Sequence, residues 1–300
     1  MKIWKSRKRT MSLAPFGFCL LGLILHGAAQ QFGAGSPQSA LVFQPGIMTT
    51  LAGTGVSGHT GDGGAASAAT VTNGIRGIAA DGSGDVFFID DTNQTIRVVY
   101  EGGTAAASLI TAENPTVTSP VAGNIYVVAG GEGSSGTPAT KQLATSARIK
   151  AGAGLGIDAA GDLYFVDTGT NKVWAIYAGG SSTAGTNLIA LEAAVASPTL
   201  GDIYPVAGGS STSGYTGDGK LATNSGVELH GINDIKFDTA GNMYLVDQGN
   251  NAIREVSATT GIITTIAGGA GGAGTAGNSG NGGPATAALL NQPYGVSVQP

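Results

Sequence analysis

The sequence predicts an all-β chain built as a β-propeller of four-stranded antiparallel blades, and three observations predict it. First, a segment of about twenty residues recurs three times, with its strand-ending aspartates Asp90, Asp167 and Asp247 spaced 77 and then 80 residues apart, a period that suits a blade rather than the shorter coil of a β-helix. Second, each repeat resolves into short apolar runs of four to seven residues separated by Gly- and Asp-rich turns, with almost no helical pattern. Third, the 52 glycines cluster between those runs, where turns need positive φ, instead of being spread as in a low-complexity chain.

Met1 to Ala29 has the layout of a secretory signal: Lys2, Lys5, Arg7, Lys8 and Arg9 open it, Phe16 to Leu25 is apolar, and Gly27-Ala28-Ala29 offers small residues for cleavage. Its apolar core is shorter than the roughly 20 residues that span a bilayer, so a retained membrane anchor is the weaker alternative. The segment takes five of the 14 basic residues and none of the 19 acidic ones, leaving a net charge of −10. That sign excludes recognition of nucleic acid or of anionic lipid through a basic surface. Cleavage also removes Cys19, the one cysteine, so neither disulfides nor a thiolate nucleophile enter the argument. The expected location is secreted, periplasmic or cell-surface. Residues 30–46 are a flexible, Gly/Ser/Gln-rich lead-in, and 47–300 carry the repeats.

Four versions of one strand end in Ala-Gly: IMTTLAG from Ile47, IYVVAG from Ile125, IYPVAG from Ile203 and IITTIAG from Ile262. In the third unit the four strands are predicted at Ile232 to Phe237 (A), Met243 to Asp247 (B), Ala252 to Val256 (C) and Ile262 to Gly268 (D). The A–B turns read Asp-x-x-Gly-Asp/Asn, hairpin chemistry in which Asp bonds local N–H groups and Gly takes the left-handed position. Both faces of the runs are apolar, as expected of a sheet covered on both sides. Long inserts, Glu101 to Asn124 and Ala178 to Asp202, separate C from D in the first two units. Strand parity puts the Gly-rich D–A links, with their GDG tips, and the B–C turns at one common end. Ile47 to Gly53 then reads as a lone D strand and Tyr294 to Gln299 as the start of another A strand, so three full blades and two partial ones are expected, in a propeller truncated at its C-terminus.

These patterns, ITTIAGG followed by GNGGPATAALLNQPYGVSV and YLVDQGNNAIREV above all, resemble the NHL-repeat family of β-propellers, especially its exported bacterial members, over Ile47 to Val298. The second unit departs from the pattern in lacking GDGG and in placing Trp174 where Arg is usual. The resemblance implies six blades in the complete propeller and, most often, a binding platform. A minority of related propellers are lyases with histidine-held metal on the axis; fold alone does not decide between these.

Asp90, Asp167 and Asp247 are candidates for a ring of carboxylates facing a cation such as Ca²⁺ or for turn formation, and Asp62 and Asp218 in the GDG tips present the same two choices. His59 and His230 lie in D–A links two blades apart, one short of the three protein ligands usual for catalytic Zn²⁺, so no metal or other cofactor is expected. Arg97 and Arg254 share a strand-C position that suits pairing with carboxylates. Two G-x-G-x-x-G matches lack the βαβ context of a dinucleotide site, no G-x-S-x-G elbow occurs, and no residue is singled out as catalytic. The expected function is non-catalytic binding of a protein, peptide or glycan through the face bearing the D–A and B–C loops, with His59, Asp62, Tyr215, Asp218, His230, Asp90, Asp167 and Asp247 as its candidate residues. A metal-dependent lyase or hydrolase with an axial site, and a structural envelope component, are the alternatives.

Overall fold

The computed structural model describes residues 48–131, 138–180, 188–192, 195, 197–269 and 274–299. The chain divides into two compact units, Met1–Pro37 and Gln38–Pro300, and every described residue belongs to the second. The signal and the whole lead-in predicted from the sequence lie outside the described residues, as do parts of the second and fourth links and of the second insert.

Three four-stranded antiparallel sheets follow one another, each ordered as the chain runs. The first holds β1 (Ile75–Ala80), β2 (Val86–Asp90), β3 (Thr95–Val99) and β4 (Ile125–Ala129). The second holds β5 (Ala151–Ile157), β6 (Leu163–Asp167), β7 (Lys172–Ile176) and β8 (Ile203–Ala207), and the third β9 (Ile232–Phe237), β10 (Met243–Asp247), β11 (Ala252–Val256) and β12 (Ile263–Gly268). The first strands are neighbours, β1 against β5 and β5 against β9, which makes the arrangement propeller-like with β1, β5 and β9 innermost. Apolar side chains fill the spaces between sheets: Phe87, Ile89 and Val98 of the first meet Phe165, Trp174 and Ile176 of the second, and Tyr164, Val166 and Tyr204 of the second meet Ile235, Leu245 and Val256 of the third. Both faces of the middle strands are buried for this reason.

The A–B turns form as their sequences predict. Asp81, Asp158 and Asp238 each accept a backbone N–H two and four residues on, and Gly84, Gly161 and Gly241 take positive φ. Each B–C turn ends in a left-handed residue, Gln94, Asn171 or Asn251. The Ala-Gly ending of each D strand has its cause there: Gly130, Gly208 and Gly268 sit at positive φ, and a methyl group on any of them would meet the carbonyl oxygen of that left-handed residue.

Four sequence expectations are corrected. Met48 to Gly53 is not a strand, because among the described residues no strand lies beside it to complete a ladder, although Gly53 keeps the D-strand ending, with φ at 93° and its N–H on the Ala66 carbonyl as Gly130 is on Ala144. Tyr294 to Gln299 is likewise no strand; it passes beside β9, where Asn233 Nδ2 donates to the Tyr294 carbonyl at 2.8 Å and the Val296 N–H to Asp234 Oδ2 at 3.2 Å. The first insert is helical, α1 (Thr104–Glu113), and the second contains a short helix, α2 (Leu188–Glu192).

The fourth correction concerns the links. Parity places their GDG tips at the B–C end, but each link is long enough to run down the side of the next sheet and return. Gly63 donates to the carbonyl of Ile125 and Ile125 donates back to Gly64; Lys141 and Gln142 do the same with Ile203, and Gly219 and Lys220 with Ile263. Since these isoleucines stand at the C–D end of their strands, the tips lie at the opposite end from the B–C turns.

Candidate functional site

The strand-ending acids and the strand-C arginines form buried polar units inside the sheets, which Asp62 and Asp218 reach from the more exposed links. In the first sheet Arg97, fully buried, donates through Nε to Asp62 Oδ1 at 3.0 Å and through its terminal nitrogens to the carbonyls of Thr70 and Thr60, and it stands 3.5 Å from Asp90 Oδ2. Asp90 also accepts from Thr72 Oγ1 at 2.7 Å and Asn93 Nδ2 at 3.0 Å. The third sheet repeats this: Arg254 meets Asp218 at 2.7 Å and Asp247 at 3.3 Å, with its guanidinium 5.1 Å from the centre of the Tyr215 ring. Asp247 accepts the His230 N–H and Asn250 Nδ2; burial pushes its carboxyl up, and these donors and Arg254 oppose the shift.

The second sheet has lost both members of the pair. The residue before each donor to strand D is Asp62, Thr140 and Asp218 in turn, and the strand-C residue is Arg97, Trp174 and Arg254. Asp167 remains, fully buried, with the Gly169 N–H on Oδ1 at 2.8 Å and no donor on Oδ2 among the described residues. Burial raises its carboxyl to about 6 against the pull of those local N–H groups.

The eight residues named from the sequence therefore fall into separate places. Asp62 and Asp90 share one arginine, Tyr215, Asp218, His230 and Asp247 gather at another, Asp167 stands by itself in the middle sheet, and His59 Nε2 is 3.2 Å from Thr95 Oγ1. Among the described residues no three His, Cys, Asp or Glu side chains come together to hold a metal ion.

Two clefts open where the inner strands end. The larger, about 600 Å³, lies at the A–B turns and is walled by Ala80, Gly82, Ala159, Ala160 and Gly161, with Asp81, Asp158 and Asp238 spent on their own turns. The smaller, about 330 Å³, lies at the B–C end and has the richer chemistry: Arg76, Asp91 and Gln94 come from the first unit, Lys150 and Thr168 from the second, Asn233 and Gln248 from the third. Register irregularities near the start of β1, β5 and β9 turn the backbone there, the usual effect of a bulge beside a site. Arg76 Nε donates to Asp91 Oδ2 at 2.8 Å, Gln94 Nε2 donates to the Asp91 carbonyl, and Thr168 holds the Lys150 carbonyl through N and Oγ1 at 2.9 and 3.1 Å.

No protein-family profile matches the chain, and no curated protein does. Among solved structures it is similar to an auxiliary nutrient binding protein from Bacteroides thetaiotaomicron, at 14% identity and a TM-score of 0.43 over 75% of this chain and 43% of that one. A second auxiliary nutrient binding protein, from Bacteroides ovatus, aligns at 13% identity and a TM-score of 0.38 over 75% of this chain and 54% of that one. A catalytically inactive virginiamycin B lyase from Staphylococcus aureus, with quinupristin, aligns at 14% and 0.32 over 66% and 43%. The chain thus spans about half or less of the length of each.

None of the cleft residues was singled out from the sequence. A signal for them exists all the same: the residue after each strand-ending aspartate changes from Asp91 to Thr168 to Gln248, while the aspartate itself repeats.

Proposed function

We propose that the chain forms the repeat portion of an exported NHL-type propeller, six-bladed when complete, that binds a protein, peptide or glycan without transforming it, through the cleft at the B–C end. One observation carries this reading: three successive units send side chains into one polar cleft, and those side chains differ from unit to unit while the packing and turn residues recur. A scaffold role alone would let the cleft positions repeat as the turn positions do; recognition of one asymmetric ligand needs them to differ. Of the eight residues expected from the sequence, Asp90, Asp167 and Asp247 are buried; Asp62, Asp90, Asp218 and Asp247 act by setting Arg97 and Arg254 and hence the turns that carry the cleft, and the location outside the cytoplasm follows from the predicted signal.

The test fills the cleft. Gln248→Trp places an indole at its wall without touching the buried aspartates. Binding to peptide and glycan arrays by the parent chain, abolished in this variant at unchanged melting temperature, is the expected result. Ligands that bind both chains equally would move the site elsewhere.

A further inference from the structure

We infer that the cleft at the B–C end receives a carboxylate group of its ligand between Arg76 and Lys150; the inference rests on the binding reading above. The chain is acidic, with 19 Asp and Glu against 14 Lys and Arg, yet this cleft gathers two cations against the single charge of Asp91. Asp91 occupies only the Nε side of Arg76. The two terminal nitrogens meet no acceptor among the described residues, and they form the end of the guanidinium fork that grips a carboxylate through two parallel hydrogen bonds. Lys150 is exposed, its stem passes Gly169, and its ammonium likewise has no partner among the described residues. Two lysine and arginine charges less one aspartate leave a single positive charge, which matches a monoanion and not a phosphate dianion. Gln248, whose side chain also has no partner among the described residues, supplies amide groups for neighbouring oxygens. Among the described residues no aromatic ring lines the cleft, so an apolar or stacking headgroup finds none of them to rest on.

Carboxylates of this size come from acidic sugars and from peptide C-termini, and calorimetry on the full chain separates them. The probes are D-galacturonate with D-galactose as its uncharged counterpart, and N-acetyl-dialanine with its amide. At least one carboxylate is expected to bind ten times or more tighter than its counterpart, to weaken as salt rises, and to lose about tenfold in affinity in Arg76→Gln and in Lys150→Gln, with Lys150→Arg restoring most of the loss. Failure of both carboxylates to exceed their counterparts, or inorganic phosphate displacing the bound carboxylate at equal concentration, overturns the inference. If the uncharged probes bind as well as the charged ones and Gln248→Trp abolishes both, the carboxylate assignment falls while the cleft keeps its binding role.

Discussion

Trp174 occupies the strand-C position that Arg97 and Arg254 occupy in the flanking sheets, and the exchange leaves Asp167 as a buried carboxylate that meets no guanidinium among the described residues. Its folded-state carboxyl lies at about 6, against an ordinary 3.8. A raised acid favours the folded chain while it is protonated, so this contribution is complete below about pH 4 and is lost as pH rises through 6. Asp167→Asn keeps an oxygen for the Gly169 N–H and removes the charge. It should stabilise the chain by roughly 2–3 kcal/mol at pH 7, with the gap closing near pH 4; urea unfolding at the two pH values measures it, and a gap independent of pH would refute the assignment. At this scale the sequence is legible where a residue acts on its neighbours, as Asp81, Asp158 and Asp238 do in their turns. It is silent where partners are distant: Asp62 and Arg97 are 35 residues apart, and only the path of the link brings them together.

The same division holds for elements. Strands and turns are written locally, in apolar runs and in Asp-x-x-Gly, and three sheets follow from them. Helix α1 is written less clearly, since its Ala-rich run opens at Gly103 with no side-chain cap of its own. The chain leading into the helix is instead held from the A–B turn: Asp85, buried, accepts the N–H groups of Glu101 and Gly102 on Oδ1 and that of Gly103 on Oδ2. Burial lifts this carboxyl to about 6, opposed chiefly by the Glu101 N–H. The third sheet has Asn242 at this position and needs to hold only the Ala258 N–H, while its Nδ2 turns to Asp238. Asp85→Asn in the first sheet would instead aim an amide N–H₂ at a backbone donor. We expect it to cost about 1–3 kcal/mol at pH 7, despite removing a buried charge, and to raise amide exchange through α1. A neutral or stabilising effect would show that this anchor is dispensable.

Across the whole molecule the inserts tie one unit to the next. Glu113, at the end of α1, accepts from the N–H groups of Ala144 and Thr145 and from Thr145 Oγ1 in the following link, and Glu192, at the end of α2, holds Thr223 in the same way. Neither carboxylate stood out in the sequence, because nothing local marks an acid whose partner is some 30 residues away. Glu113→Ala should cost about 2–4 kcal/mol. Hydrogen exchange should rise in residues 144–150 and stay unchanged in β10 and β11; a uniform rise would mean that the units unfold as one. In repeat architectures each unit draws its stability from its neighbours, and these two glutamates add a directional bond to that dependence.

The path of the links has one more effect. β4, β8 and β12 are the outer strands of their sheets, and an outer strand normally offers unpaired amides and carbonyls to any passing chain. Here the N–H and C=O of Ile125, Ile203 and Ile263 are already taken by the returning link, so the tips that strand parity had assigned to the binding face instead cover the first residue of each outer strand, where an incoming chain would otherwise find both a donor and an acceptor.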